Sequence, residues 1–182
     1  MNKECKCRVV PPPPQGPQGL PGKQGPQGPQ GPMGTPGLSD PQSAFRAENN
    51  TADQDITGTV SVFMNYPNEI FDLNNEYDPS TSTFTPSQSG VYSICANVNF
   101  IPDDPAINHS TNMDILVNAS RVARTSSAYL GGVIVNHPSN LCTIVQLQAG
   151  DIVEVTFRSS VDGIIVSSGE GTNFEAARFP SP

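Results

Sequence analysis

The chain has 182 residues and a formal net charge of −8, enough length for one ordinary domain and an appendage. Charge and composition change together near residue 40: residues 1–39 carry four bases against one acid and are crowded with Pro and Gly, while residues 40–182 carry sixteen acids against five arginines and no lysine. An acidic segment with scattered arginines offers no basic stripe to a nucleic acid, and no run of 18 apolar residues is present to cross a membrane as a helix.

Residues 1–15 read as an anchor segment. Cys5 and Cys7 precede the stiff run Pro11–Pro14, which favours an extended polyproline II lead-in. If three chains associate, the two cysteines bring six thiols to one end of a rod, a geometry suited to interchain crosslinks or attachment to a neighbouring layer. Two unpaired exposed thiols are the alternative. The pair is too sparse for a zinc site, which takes four ligands. The segment lacks the apolar core of a secretory signal, so the expected location is extracellular or at a cell or spore surface, reached after signal removal or by another route.

Residues 16–39 carry glycine at every third position through eight triplets: Gly16, Gly19, Gly22, Gly25, Gly28, Gly31, Gly34 and Gly37. Three polyproline II chains wind together only where the crowded axis holds no side chain, which sets a period of three. A collagen-like stalk is therefore expected. Twenty-four residues at about 3.1 Å each make a rod of at most roughly 75 Å. Its ordering entropy leaves so short a rod marginal alone, so another part of the chain must hold three strands in register.

From residue 40 to 182 the pattern is that of strands. Val60–Phe63, Glu69–Phe71, Val91–Ile94, Met113–Val117, Cys142–Leu147 and Ile152–Phe157 are short runs rich in β-branched and aromatic residues. Turn residues separate them, among them Asp78-Pro79, Ser89-Gly90, Pro102–Pro105, Gly150-Asp151 and Asp162-Gly163. Many short strands and no helical stretch predict a sandwich or barrel. Alternation over Ile152–Phe157 predicts Val153, Val155 and Phe157 on the core side.

Several blocks then resemble one family. Ser43–Ala47, containing Ala44-Phe45-Arg46-Ala47, is similar to the opening strand of complement C1q heads. Ile70–Asp72, Tyr77–Thr81, Thr83–Pro86 and Gly90–Tyr92 resemble the family's most recognisable block. Leu147–Asp151 resembles its Leu-x-x-Gly-Asp turn, and Thr172–Phe174 its closing strand. The likeness spans about residues 43–179 and follows a collagen stretch, as in C1q relatives. It implies an all-β, ten-stranded jelly roll of the C1q/tumour necrosis factor type that assembles as a homotrimer. It also implies that Phe45, Phe71, Tyr77, Phe84, Tyr92 and Phe174 fill the core or the subunit contacts, as burial of large aromatics would by itself suggest. The closing strand departs from the family pattern in being more polar, at Glu175–Arg178. Some relatives bind calcium near positions that fall here at Ala128 and His137. Neither supplies a hard oxygen ligand, so calcium is not carried over and no cofactor is expected.

Cys95 and Cys142 lie in apolar strand segments and read as buried free thiols, a bridge requiring Cα atoms within about 7 Å. His109 and His137 read as residues of polar surface turns. Nucleophile-elbow, phosphate-loop, His-Glu-x-x-His and Cys-x-x-Cys patterns are missing, so a non-enzymatic role is expected. The leading reading is a trimeric structural protein displaying its head on a stalk, with a surface-layer protein or a glycan as partner. A secreted recognition module and a phage fibre are the alternatives. Asn49, Asn108 and Asn118 stand in N-glycosylation patterns.

Overall fold

The computed structural model describes residues 11–28, 43–132 and 136–180. The chain divides into two units, Met1–Pro36 and Gly37–Pro182. In the first, residues 11–28 have no regular secondary structure and every residue is exposed. A Cβ placed on Gly16, Gly19, Gly22, Gly25 or Gly28 would meet nothing within 4 Å, and none of these glycines has a positive φ. Gly31, Gly34, Gly37, Cys5 and Cys7 lie outside the described residues.

The second unit is a sandwich of two antiparallel sheets. Its strands are β1 (Ala44–Glu48), β2 (Gln54–Ile56), β3 (Val62–Phe63), β4 (Asn68–Asp72), β5 (Tyr77–Asp78), β6 (Thr83–Phe84), β7 (Gly90–Pro102), β8 (His109–Val117), β9 (Ser120–Tyr129), β10 (His137–Leu147), β11 (Val153–Ser159), β12 (Gly163–Ile165) and β13 (Asn173–Arg178). A single 3₁₀ turn, Gly169–Gly171, precedes β13. The first sheet runs β2-β12-β7-β13-β1-β4, with β10 on the other edge of β7; the second runs β5-β6-β11-β8-β9, with β3 also on β11. Thirteen strands among the described residues stand against the ten expected, because three of them are two-residue pairings.

The β-branched runs grew beyond their expected bounds. Val91–Ile94 is the start of a 13-residue strand, whose second half, Cys95–Pro102, includes Asn97 and Asn99. Those asparagines face out while Ala96, Val98 and Phe100 are buried, an alternation that holds polar residues in a strand. Val60–Phe63 shrinks to its last two residues. Val153, Val155 and Phe157 face the core as expected.

The core between the sheets is aromatic at one end. Phe45 stacks on Tyr77 with ring centroids 4.6 Å apart, and meets Phe84 at 4.8 Å and Phe174 at 5.0 Å. Buried hydroxyls need partners: the Tyr77 hydroxyl donates to the Tyr66 carbonyl at 2.7 Å, and Tyr92 donates to the Gln88 carbonyl at 2.8 Å. Burial pushes the Tyr66 and Tyr77 phenols well above their ordinary pKa. The buried Glu76 carboxylate accepts from the Ser43 and Ser87 hydroxyls and from the Ser87 amide, as a buried charge must.

Two expectations are corrected. Cys95 and Cys142 are not free thiols: they sit opposite each other on β7 and β10, with Cα atoms 4.1 Å apart, and form a disulfide. The two strands belong to segments 47 residues apart, and only their pairing brings the sulfurs together. His109 and His137 are not surface-turn residues either. They begin β8 and β10 and are buried.

Candidate assembly face

The antiparallel registers sort the outward side chains of the first sheet into rows. Alternation puts Phe45, Ala47, Phe174 and Ala176 inside, so their neighbours Ala44, Arg46, Glu48, Glu175 and Ala177 point out. One row runs across the sheet as Phe71, Arg46, Glu175, Cys95 and Cys142, and the next as Ala44, Ala177, Ser93 and Ile144. Beyond these lie Val91 and Gln146, with the Phe179 amide donating to the Val91 carbonyl at 2.9 Å. On the opposite side the row is polar: Asn68, Glu48, Asn173, Asn97 and Asn140. The Asn97 side-chain amide donates to Asn173 Oδ1 at 2.8 Å.

This face exposes several large apolar side chains. Ile144 is 66% exposed and Phe71 44% exposed, with Val91 and Phe179 comparably open. Between Phe71 and the disulfide lies a shallow pocket of about 320 Å³, lined by Ala44, Arg46, Phe71, Ser93, Cys95 and Ala177 among others. Arg46 bridges its charged rim, pairing with Glu48 at 3.1 Å and Glu175 at 3.3 Å.

The outward face of the second sheet is different. Asp114 of β8 pairs with Arg124 of β9 through two hydrogen bonds of 2.5 and 2.6 Å, which holds the guanidinium pKa above its ordinary value. Ser126 donates to Asn112 Oδ1 at 2.7 Å, and Arg158 donates to the Thr59 carbonyl at 2.9 Å. The exposed apolar side chains of this second face, Phe63 and Val122, stand among these polar groups, and contiguous apolar surface signals contact with another molecule more than scattered exposure does, so the first sheet carries the candidate interface.

Of the six aromatic site residues expected from sequence, Phe45, Tyr77, Phe84, Tyr92 and Phe174 lie inside the protomer, and Phe71 lies on the candidate face. Ile144, the most exposed apolar side chain of that face, escaped sequence reading. Cys142–Leu147 is apolar at both parities of the strand, so alternation there does not say which side points out. The loop acids Asp103 and Asp104 line a separate depression with Gly58 and Asp162, and no group of three or more potential metal ligands occurs among the described residues. No helix among the described residues is long and apolar enough to cross a membrane.

No protein-family model matches the sequence, and no curated protein matches it. Solved structures do. The structure of Eiger TNF from S. frugiperda aligns with a TM-score of 0.56 at 12% identity, covering 79% of this chain and 96% of that one. Murine APRIL, in a crystal structure at pH 5.0, aligns with a TM-score of 0.57 at 11% identity, covering 76% of this chain and 99% of that one. The head is therefore an all-β jelly-roll sandwich of the TNF type.

Proposed function

We propose that the protein is a non-enzymatic homotrimer that displays its jelly-roll head on a short collagen-like stalk at a cell or spore surface. The observation that carries this reading is the glycine period. Gly16, Gly19, Gly22, Gly25 and Gly28 have open space where a Cβ would stand and no positive φ, so nothing within one chain asks for glycine there. A triple helix does, because each glycine then faces a three-chain axis. The exposed apolar side chains of the first sheet, Ile144, Phe71 and Val91, support the other half of the reading, since a head that trimerises would hold three stalks in register. Residues 1–15, with Cys5 and Cys7, would then form the anchor, and a surface-layer protein would be the neighbour.

The test is the solution mass of the whole chain and of residues 41–182, by light scattering under reducing conditions. Three chains in both are expected. A head of one chain would remove trimerisation by the head and leave the glycine repeat as a linker.

A second reading, a secreted recognition module whose head binds a protein or glycan, draws support from the Cys95–Cys142 disulfide, which suits an oxidising compartment. Asn108 and Asn118 are exposed in their glycosylation patterns, whereas Asn49 is buried. A glycan mass on Asn108 or Asn118 of native material favours this reading, and their unmodified masses favour the first.

A further inference from the structure

Where the ends of β7, β8, β9 and β10 meet, two histidines are shut into an aromatic box. His109 is 5% exposed and His137 is 3% exposed. Their ring centroids are 4.9 Å apart; Tyr129 lies 3.8 Å from His137 and 5.1 Å from His109, and Phe100 lies 6.1 Å from His109. The cross-strand registers His137 to Phe100 and His109 to Tyr129 impose this clustering.

Hydrogen bonding fixes the ring hydrogen of His109. His109 Nδ1 lies 2.9 Å from the Ile107 carbonyl oxygen, which accepts and so places the ring hydrogen on Nδ1. Nε2 of His109 is then a bare lone pair, and neither it nor Nε2 of His137 has a hydrogen-bond partner among the described residues. A proton added to either nitrogen would be a buried donor on a charged ring, with no acceptor among the described residues.

Among the described residues, the strands that flank the box bring no free carboxylate to it: β7 and β12 contain no ionisable side chain apart from Tyr92 and the bridged Cys95, and β10 none besides His137 and the bridged Cys142. The acid of β8, Asp114, is engaged by Arg124 of β9 five residues along from His109; β9 otherwise brings Arg121 and the Tyr129 phenol. Asp103 and Asp104 on the connection from β7 to β8 line the depression shared with Gly58 and Asp162. Burial, then the neighbouring His109, lowers the His137 pKa from its ordinary value.

We propose that His137, packed against His109 and Tyr129, is an acid-released latch that holds the ends of β8, β9 and β10 together at neutral pH and opens them when its ring takes up a proton. The step is a proton transfer from solvent to an imidazole Nε2, after which the charged ring reaches water only if the strand ends part. The sign follows from linkage: the folded state binds fewer protons than the unfolded state below the ordinary histidine pKa of about 6.5, so the latch is fully closed above that pH and weakens as pH falls.

The experiment uses the whole chain. Amide hydrogen exchange is measured from pH 7.5 to 5, corrected for the intrinsic pH dependence of exchange, alongside an NMR titration of the histidine ring protons. Protection at residues 109–111 and 127–129 and at His137 and Ser139 is expected to fall at least tenfold across that range, while the middle of β11 keeps its protection. His137→Phe, which fills the box without a titrating ring, should abolish the local loss; His137→Leu serves if the larger ring does not fold. Unchanged wild-type protection overturns the proposal, as does a variant that loses as much as wild type. Should neither variant fold, ordinary titration of the wild-type His137 ring near pH 6.5 overturns it, and depressed titration of His137 together with the local loss upholds it.

Discussion

Replacing Ile144 by Asp tests the assembly face most directly. Ile144 is 66% exposed in the protomer, so nearly two-thirds of its surface remains to be removed from water by a partner. Full burial of an isoleucine side chain contributes about 1.5–3 kcal/mol, which leaves about 1–2 kcal/mol per copy. Three copies amount to about 3–6 kcal/mol, or a factor of roughly 10² to 10⁴ in the trimer association constant. An unpaired carboxylate forced into an apolar contact adds to this. The assay is sedimentation equilibrium of residues 41–182 over a dilution series, with circular dichroism to establish that the variant is folded. The expected result is a folded head that dissociates at concentrations where the parent remains three chains. A folded Ile144→Asp head that keeps the parent's three-chain mass at every dilution would refute the assignment of this face, though not trimerisation itself.

Other perturbations probe the head and the stalk separately. Converting Cys95 and Cys142 to Ala opens a covalent loop of 47 residues, and chain entropy sets the loss at no more than about 4 kcal/mol; denaturant unfolding with and without reductant measures it. Phe174→Ala empties the site where the rings of Phe45, Tyr66 and Tyr77 converge at 5.0–6.1 Å, at an expected cost of about 3–5 kcal/mol. Ala119 sits at φ 61° beside Asn118 at φ 51° in the two-residue turn between β8 and β9. Ala119→Gly should raise the melting temperature by relieving about 1 kcal/mol of left-handed strain. In the stalk, Gly25→Ala should weaken the triple-helical dichroism of the whole chain while leaving its three-chain mass unchanged.

Strand after strand of the head could be read from its residues. Ile152–Phe157 shows why: Glu154 and Thr156 alternate with Val153, Val155 and Phe157, and those three apolar side chains lie in the core, although Thr156 is buried as well. Gly150 is the only residue of its turn that adopts φ 88° without strain, and the side chain of the following Asp151 accepts from the Gln148 amide at 2.7 Å, so the Gly-Asp pair marks the end of β10 locally. Where both parities are apolar, as in Cys142–Leu147, local reading stops. Which side of that strand meets water depends on its pairing with β7 and on nothing within the segment.

The same limit governs the residues that matter most for function. Polar neighbours make His109 and His137 look like turn residues, but each lies opposite an aromatic on an adjacent strand, Tyr129 for His109 and Phe100 for His137, 20 and 37 residues away along the chain. The disulfide likewise joins residues 47 apart. Composition and period, which are local, determined the Gly-repeat segment, the all-β head and the division between them. Long-range strand pairing decided the bridged cysteines, the enclosed histidines and the apolar rows of the outer face, because a register brings together side chains whose separation along the chain carries no signal of their contact.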